Sequence, residues 1–306
     1  MKHLLKTIVL SAFVLTGSSS FSQILGDRPP IDSLVQWSQT FSSAPREPQR
    51  RKALFSFNEE FAQYVRSQPT AEELAQLKPI SKVASDDGNL EIYTWVFPRA
   101  GGIFEFYGWM HYNGNWIELI DSSGLHSEGI EYHWMGSKKW YGAYYYDIVT
   151  TKYKGEVYYN LLGFRPRLQG HQEKVVEPIQ KVETLPELRW GAQIFNTPIV
   201  EDVEFKRKPH RLVFRYSPQH NATLRWMKNE KMILVDHLAP PDASQKKQWE
   251  FYGPDFSYDG LEWVDGSWIL QKRVVFDSPI VTPERGETID KGLQAPPPPP
   301  TEEKAK

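Results

Sequence analysis

The residues best equipped for chemistry lie late in the chain. In the run Asp255-Phe-Ser-Tyr-Asp-Gly260, the side-chain oxygens of Asp255, Ser257 and Asp259 fall at alternate positions, with a glycine sixth. That spacing echoes the start of an EF-hand loop, so calcium is the one cofactor to weigh, although none is expected. The echo is partial, because Gly266 stands at the twelfth position and Asp265 comes one place early. The competing reading is a Pro/Asp/Gly turn leading into the next hairpin. Asp236 and His237 are adjacent at the end of ILVD. Neighbours on a strand face opposite sides, so these two do not form an acid–histidine couple with each other. Either could take a partner from elsewhere in the chain, and the competing reading is a polar strand end entering the Leu238-Ala-Pro240 turn. His126, Glu128, Glu131 and His133 form the densest group of nitrogen and oxygen donors. Zinc takes such ligands, and Glu131 and His133 would share a face of an extended segment. The spacing is not that of a zinc-protease helix, however, and solvated loop residues are the competing account.

A second kind of chemistry is carried by rings. Trp134, Trp140, Tyr141, Tyr144, Tyr145 and Tyr146 crowd into one short segment. Exposed, they would stack on a sugar or a peptide. Buried, they would be cross-strand packing and the platform reading would fail. The ligand-binding candidates are therefore Trp134, Trp140, Tyr141, Tyr144, Asp236 and His237, and the metal candidates are Asp255, Ser257 and Asp259. No catalytic residue is assigned. The chain has no G-x-S-x-G elbow, no phosphate-binding P-loop and no G-x-G-x-x-G turn. Lys206-Arg207-Lys208 reads as a solvated loop before a strand.

The elements that must position these groups are mostly strands. LEIYTWV at 90–96 and IFEFYGW at 103–109 are rich in strand formers. Asn113-Gly114 and Asp265-Gly266 each separate two such runs, a strong signal for two-residue hairpins with positive φ at both positions. Lys154-Gly155 and Lys228-Asn229 are weaker versions. Further strands are expected near 141–152, 156–164, 173–183, 210–216, 222–228, 231–236 and 247–252. The segments follow a rough repeat of aromatic strand, polar turn and aliphatic strand. That scheme predicts antiparallel meanders forming a sandwich or small propeller-like domain, mainly β, over residues 80–280. Residues 23–79 read as helical. Leu34, Trp37 and Phe41 share one helix face, Leu54, Phe57, Phe61 and Val65 recur at helical spacing over 48–67, and Thr70 with Glu73 forms a capping box.

The ends carry other information. Lys2 and Lys6, the apolar run TIVLSAFVL and the small residues Ser20-Phe-Ser22 read as a signal peptide over 1–22. The apolar run is too short to span a bilayer, and no later stretch approaches that length, so no transmembrane segment is expected in the mature chain. Residues 281–306, with five consecutive prolines from Pro296, read as a disordered tail. The 306 residues contain no cysteine, which excludes disulfide frameworks, thiolate nucleophiles and a lipid anchor on a processed N-terminal cysteine. The formal net charge of −2 argues against nucleic acid as a partner.

Several long phrases occur in order over roughly residues 55–275: LEIYTW, WYGAYYYDIV, YYNLLGF, GAQIF, RLVFRYS, ILVDHLAP and FYGPDFSYDGLEW. In these the chain resembles a group of exported, β-rich proteins of Bacteroidetes-type bacteria with no known activity. It departs from them at Phe164-Arg-Pro-Arg167, where a Gly- and Asp-rich loop is expected. The resemblance implies export and a β fold, and no reaction. The function expected is that of an exported, periplasmic, non-enzymatic binding or structural protein of the cell envelope, with a glycan or a protein as partner. The alternative is an envelope hydrolase, metal-dependent or not, using acids and histidines of 126–133 or 236–259.

Overall fold

The computed structural model describes residues 29–275, apart from 126–128, 184 and 186. The segment read as a signal peptide, the whole proline-rich tail, His126 and Glu128 lie outside the described residues.

Two helices open the structure, α1 (Ile31–Ser43) and α2 (Glu47–Arg66), followed by the short α3 (Ala71–Leu74). The apolar stripe read from the sequence is what they bury: Leu34, Phe41, Leu54, Phe57, Phe61 and Val65 are all in the core. The capping box forms as expected, with the Thr70 hydroxyl accepting from Glu73 N–H and the Glu73 carboxylate accepting from Thr70 N–H.

Three antiparallel sheets follow. The first is a meander of β1 (Ser81–Ala84), β2 (Leu90–Pro98), β3 (Phe104–Tyr112) and β4 (Asn115–Ile120). The second contains β5 (Tyr144–Tyr153), β6 (Glu156–Arg165), β7 (Gln172–Gln180) and β8 (Arg189–Trp190), with β11 (Leu212–Tyr216) along β7. A small hairpin of β9 (Ile199–Val200) and β10 (Val203–Glu204) intervenes. The third sheet is a meander of β12 (Leu224–Met227), β13 (Met232–Ala239), β14 (Gly253–Val264) and β15 (Ser267–Gln271). The turns Asn113-Gly114, Lys154-Gly155 and Asp265-Gly266 all have positive φ at both positions, as the sequence predicts. The run at 247–252 is not a strand. It holds a 3₁₀ turn at Trp249–Phe251, and the strand begins at Gly253.

The sheets are stacked, and the second is the middle layer. On β6, Tyr159 and Leu161 pack against Ile92, Val96 and Met110 of the first sheet. The alternate residues Leu162 and Phe164 pack against Leu224, Ile233 and Leu261 of the third. A period of two thus serves two cores at once. The far side of the first sheet, with Tyr93, Trp95, Phe97 and Trp109, is covered by α1 and α2. The order of layers is helices, first sheet, second sheet, third sheet. No helix among the described residues is long and apolar enough to cross a membrane.

A buried ionic ladder lies on the side of the middle sheet that faces the first. Arg211 Nη2 is 2.8 Å from Glu177 Oε1, with both side chains fully buried. Tyr145 O–H donates to the other Glu177 oxygen, and Trp140 Nε1–H donates to Tyr145 Oη at 3.0 Å. Arg165 Nε stands 2.9 Å from Glu173, and Arg215 Nη2 stands 2.7 Å from Glu131. Burial pushes the Glu173 carboxyl up, but hydrogen bonding from His171 and the charges of Arg165 and Arg215 prevail and hold it well below the carboxylate range.

Candidate functional site

Three titratable side chains meet at one end of the third sheet. His237 Nδ1 lies 2.8 Å from Asp259 Oδ2. Glu201 joins them, and one donor atom from each of the three lies within 4.8 Å of the others. Asp259 is 1% exposed and Glu201 7%.

The backbone explains why these residues meet. Val235 pairs with Asp259 across β13 and β14, so the two share a face. His237, two residues beyond Val235, returns to that face. The register then breaks: Asp236 pairs with Tyr258, but Leu238 pairs with Pro254. Opposite His237 the strand β14 therefore swells into a bulge of Asp255, Phe256 and Ser257. Phe256 takes a φ of 70° and is 97% exposed. Asp255 Oδ1 accepts from Ser257 N–H at 3.0 Å and from Ser257 Oγ–H at 2.6 Å, which closes the bulge on itself. Bulges of this kind recur beside functional sites because they re-aim a side chain.

Glu201 arrives from the turn of the β9–β10 hairpin. Glu201 and Asp202 both have positive φ, 44° and 61°, in a two-residue turn that usually carries asparagine and glycine. Such a conformation costs free energy in residues with a Cβ and persists only where the surroundings enforce it. The enforcing contacts come from Asp202. Its carboxylate accepts from Tyr252 O–H at 2.8 Å and stands 2.8 Å from Lys246 Nζ. The strain thereby places Glu201 in the interior, where its Oε2 is buried with no hydrogen-bond partner. Burial, with the charge of Asp259 adding to it, pushes the Glu201 carboxyl up to about 8, against the opposing charge of His237. His237 is raised too, first by its hydrogen bond to Asp259 and then by the surrounding carboxylates. Asp259 Oδ1 is held by Arg273 N–H at 2.7 Å, and Arg273 is another residue at positive φ.

Nitrogen and carboxylate donors at such separations are what a borderline divalent cation uses. Tetrahedral zinc with bonds of about 2.0–2.1 Å needs its ligand atoms roughly 3.3 Å apart, so this group would contract by about 1.5 Å at most. A histidine donor and a buried position favour such a cation over calcium, which takes six to eight oxygens.

The sequence candidates divide accordingly. Asp259 and His237 come together, although the sequence suggested them for different roles. Asp236 faces the other side and accepts from Thr223 N–H at 2.6 Å. Asp255 and Ser257 bond to each other while Asp259 turns to His237, so the calcium-like row is split between two arrangements. Glu131 enters the ionic ladder through Arg215, and His133 is exposed. Trp140 and Tyr141 are buried, Tyr144 is half-buried, and Trp134 is 56% exposed. A sugar platform across 134–146 therefore loses its central rings to the core. Glu201 was missed because its signal is faint: Val200-Glu-Asp-Val203 shows two acids at a tight turn, without the usual asparagine and glycine.

No family model, curated protein or solved structure matches the chain.

Proposed function

We propose that the protein is an exported binding protein of the cell envelope, and that its ligand at the Glu201–His237–Asp259 site is a divalent cation of the zinc class. The export reading rests on residues 1–22; the periplasm is the compartment proposed, with the cell exterior as the alternative. The observation that carries the cation reading is Glu201, a buried carboxyl with an unpartnered oxygen, held by a strained turn beside a histidine–aspartate pair. Buried polar groups without a partner are rare, and a cation would satisfy this one. It would also displace protons from Glu201 and His237, both of which hold them more tightly than usual, so binding releases protons. Three donors leave a coordination position for water. That opening favours one second reading, an envelope hydrolase that activates the water on its metal.

The test is titration calorimetry with zinc on untagged, chelator-treated protein, with calcium as the comparison. The expected result is one zinc per chain and a much weaker response to calcium. Glu201→Gln and Asp259→Asn should each lower zinc affinity by about tenfold or more, since even supporting residues around a metal carry that much. Absence of zinc binding by the folded protein, or wild-type affinity in both variants, rejects the reading.

A further inference from the structure

At the opposite margin of the stack, edge strands of all three sheets border one cleft. Strand β1 is an edge of the first sheet, β5 of the second and β12 of the third. The cavity between them has a volume of about 360 Å³. This falls within the range of small-ligand sites and is larger than one hexose ring.

The cleft is built around a second bulge. The register of β5 on β6 shifts between Tyr145 and Asp147. Asp147 thereby lines the cleft, with its Oδ1 accepting from Ile148 N–H at 2.8 Å. The backbone N–H of Trp226 also donates to this carboxyl, which ties it to β12. Tyr146 O–H donates to Leu224 O at 2.7 Å and fastens the same two strands. The carboxylate is thus fixed from two sides before any guest arrives. Thr150, also in the lining, has a buried hydroxyl with no partner among the described residues. Trp226, half-buried with its ring edge-on to the buried Trp268, also lines the cleft, as do the exposed Asp86 and Lys228.

The charges select the guest. Lys82 is engaged by Glu91 at 2.8 Å and so is neutralised in place. Asp86 and Asp147 remain against Lys228, so the cleft has no strong positive field to attract a phosphate or a carboxylate. It offers fixed acceptors, one mobile donor and the half-buried Trp226. Those features match a neutral ring with several hydroxyls and one apolar face.

We infer that this cleft binds a neutral sugar residue of a glycan, at a site separate from the Glu201–His237–Asp259 group. The inference does not depend on the cation reading.

The test uses an array of neutral and N-acetylated oligosaccharides, followed by calorimetry with the strongest responder. Asp86→Ala and Lys228→Ala change exposed side chains and leave the fold intact. Each should weaken binding several-fold, and Asp147→Ala should abolish it. Glu201→Gln should bind the sugar as the wild type does. Three outcomes overturn the inference: no signal from folded wild-type protein, unchanged affinity in all three cleft variants, or binding only to acidic glycans or to peptides. Circular dichroism of Asp147→Ala checks its fold. If that variant misfolds, the two exposed variants decide the question.

Discussion

Arg211 is fully buried, and its guanidinium reaches Glu177 while donating to the backbone oxygens of Ile130 and His133. One side chain therefore fixes the loop after β4 against the middle sheet. Replacing it with methionine leaves Glu177 buried without its ion-pair partner, with only the Tyr145 hydroxyl still donating to it, and breaking a buried pair in this way typically costs about 3–5 kcal/mol. Chemical denaturation of Arg211→Met should show a loss of that size, and Arg211→Met with Glu177→Leu should recover part of it. Glu173 sets a pH dependence. Its folded-state value lies below the ordinary 4.5, so its contribution is present above that value and is lost as pH falls below it. Thermal melts between about pH 6 and 3 should show falling stability, and Glu173→Gln should flatten that acid limb. A Glu173→Gln profile as steep as the wild type would assign acid lability to other carboxylates.

At the scale of elements, the hairpins were the most legible feature. Asn113-Gly114 and Asp265-Gly266 announce themselves because few residue pairs tolerate two positive φ values in succession. At Gly266 a second constraint operates, since an added Cβ would lie 2.3 Å from the Tyr153 ring of the neighbouring sheet. Gly266→Ala therefore meets both backbone strain and a clash. It should lower stability by about 1–3 kcal/mol, read as a shift in the denaturation midpoint. The helical stripe of α2 was legible for the same kind of reason, because one face is apolar and the other is not. The site was legible only in part. His237 and Asp259 could be named, but their meeting depends on the β13–β14 register and a bulge, neither of which leaves a compositional mark. Glu201 comes from a different hairpin, and no local pattern links it to either partner. The aromatic segment 134–146 misled because a ring on a strand looks the same whether it faces water or a second sheet.

For the whole molecule, stacked sheets were expected, but that there are three, with one buried between the other two, was hidden. A strand packed on one side alternates apolar and polar residues, whereas β6 carries Tyr159, Leu161, Leu162 and Phe164 and is buried on both faces. Lack of alternation suggests burial without saying against what. Meanders in sequence order did indicate the class, since each of the first and third sheets is built from consecutive strands.

The middle position of the second sheet has a consequence for time as well as space. Amide protons on β6 are flanked by β5 and β7 within the sheet and covered by a further sheet above and below. No local opening can expose them without separating one of the two cores. Hydrogen–deuterium exchange should therefore find β6 and β7 exchanging last, at the rate of global unfolding. The β9–β10 hairpin, two residues per strand, should exchange early unless zinc is present. The slowest protons in the chain would then time the unfolding of all its layers, and the fastest would report what occupies the site at its edge.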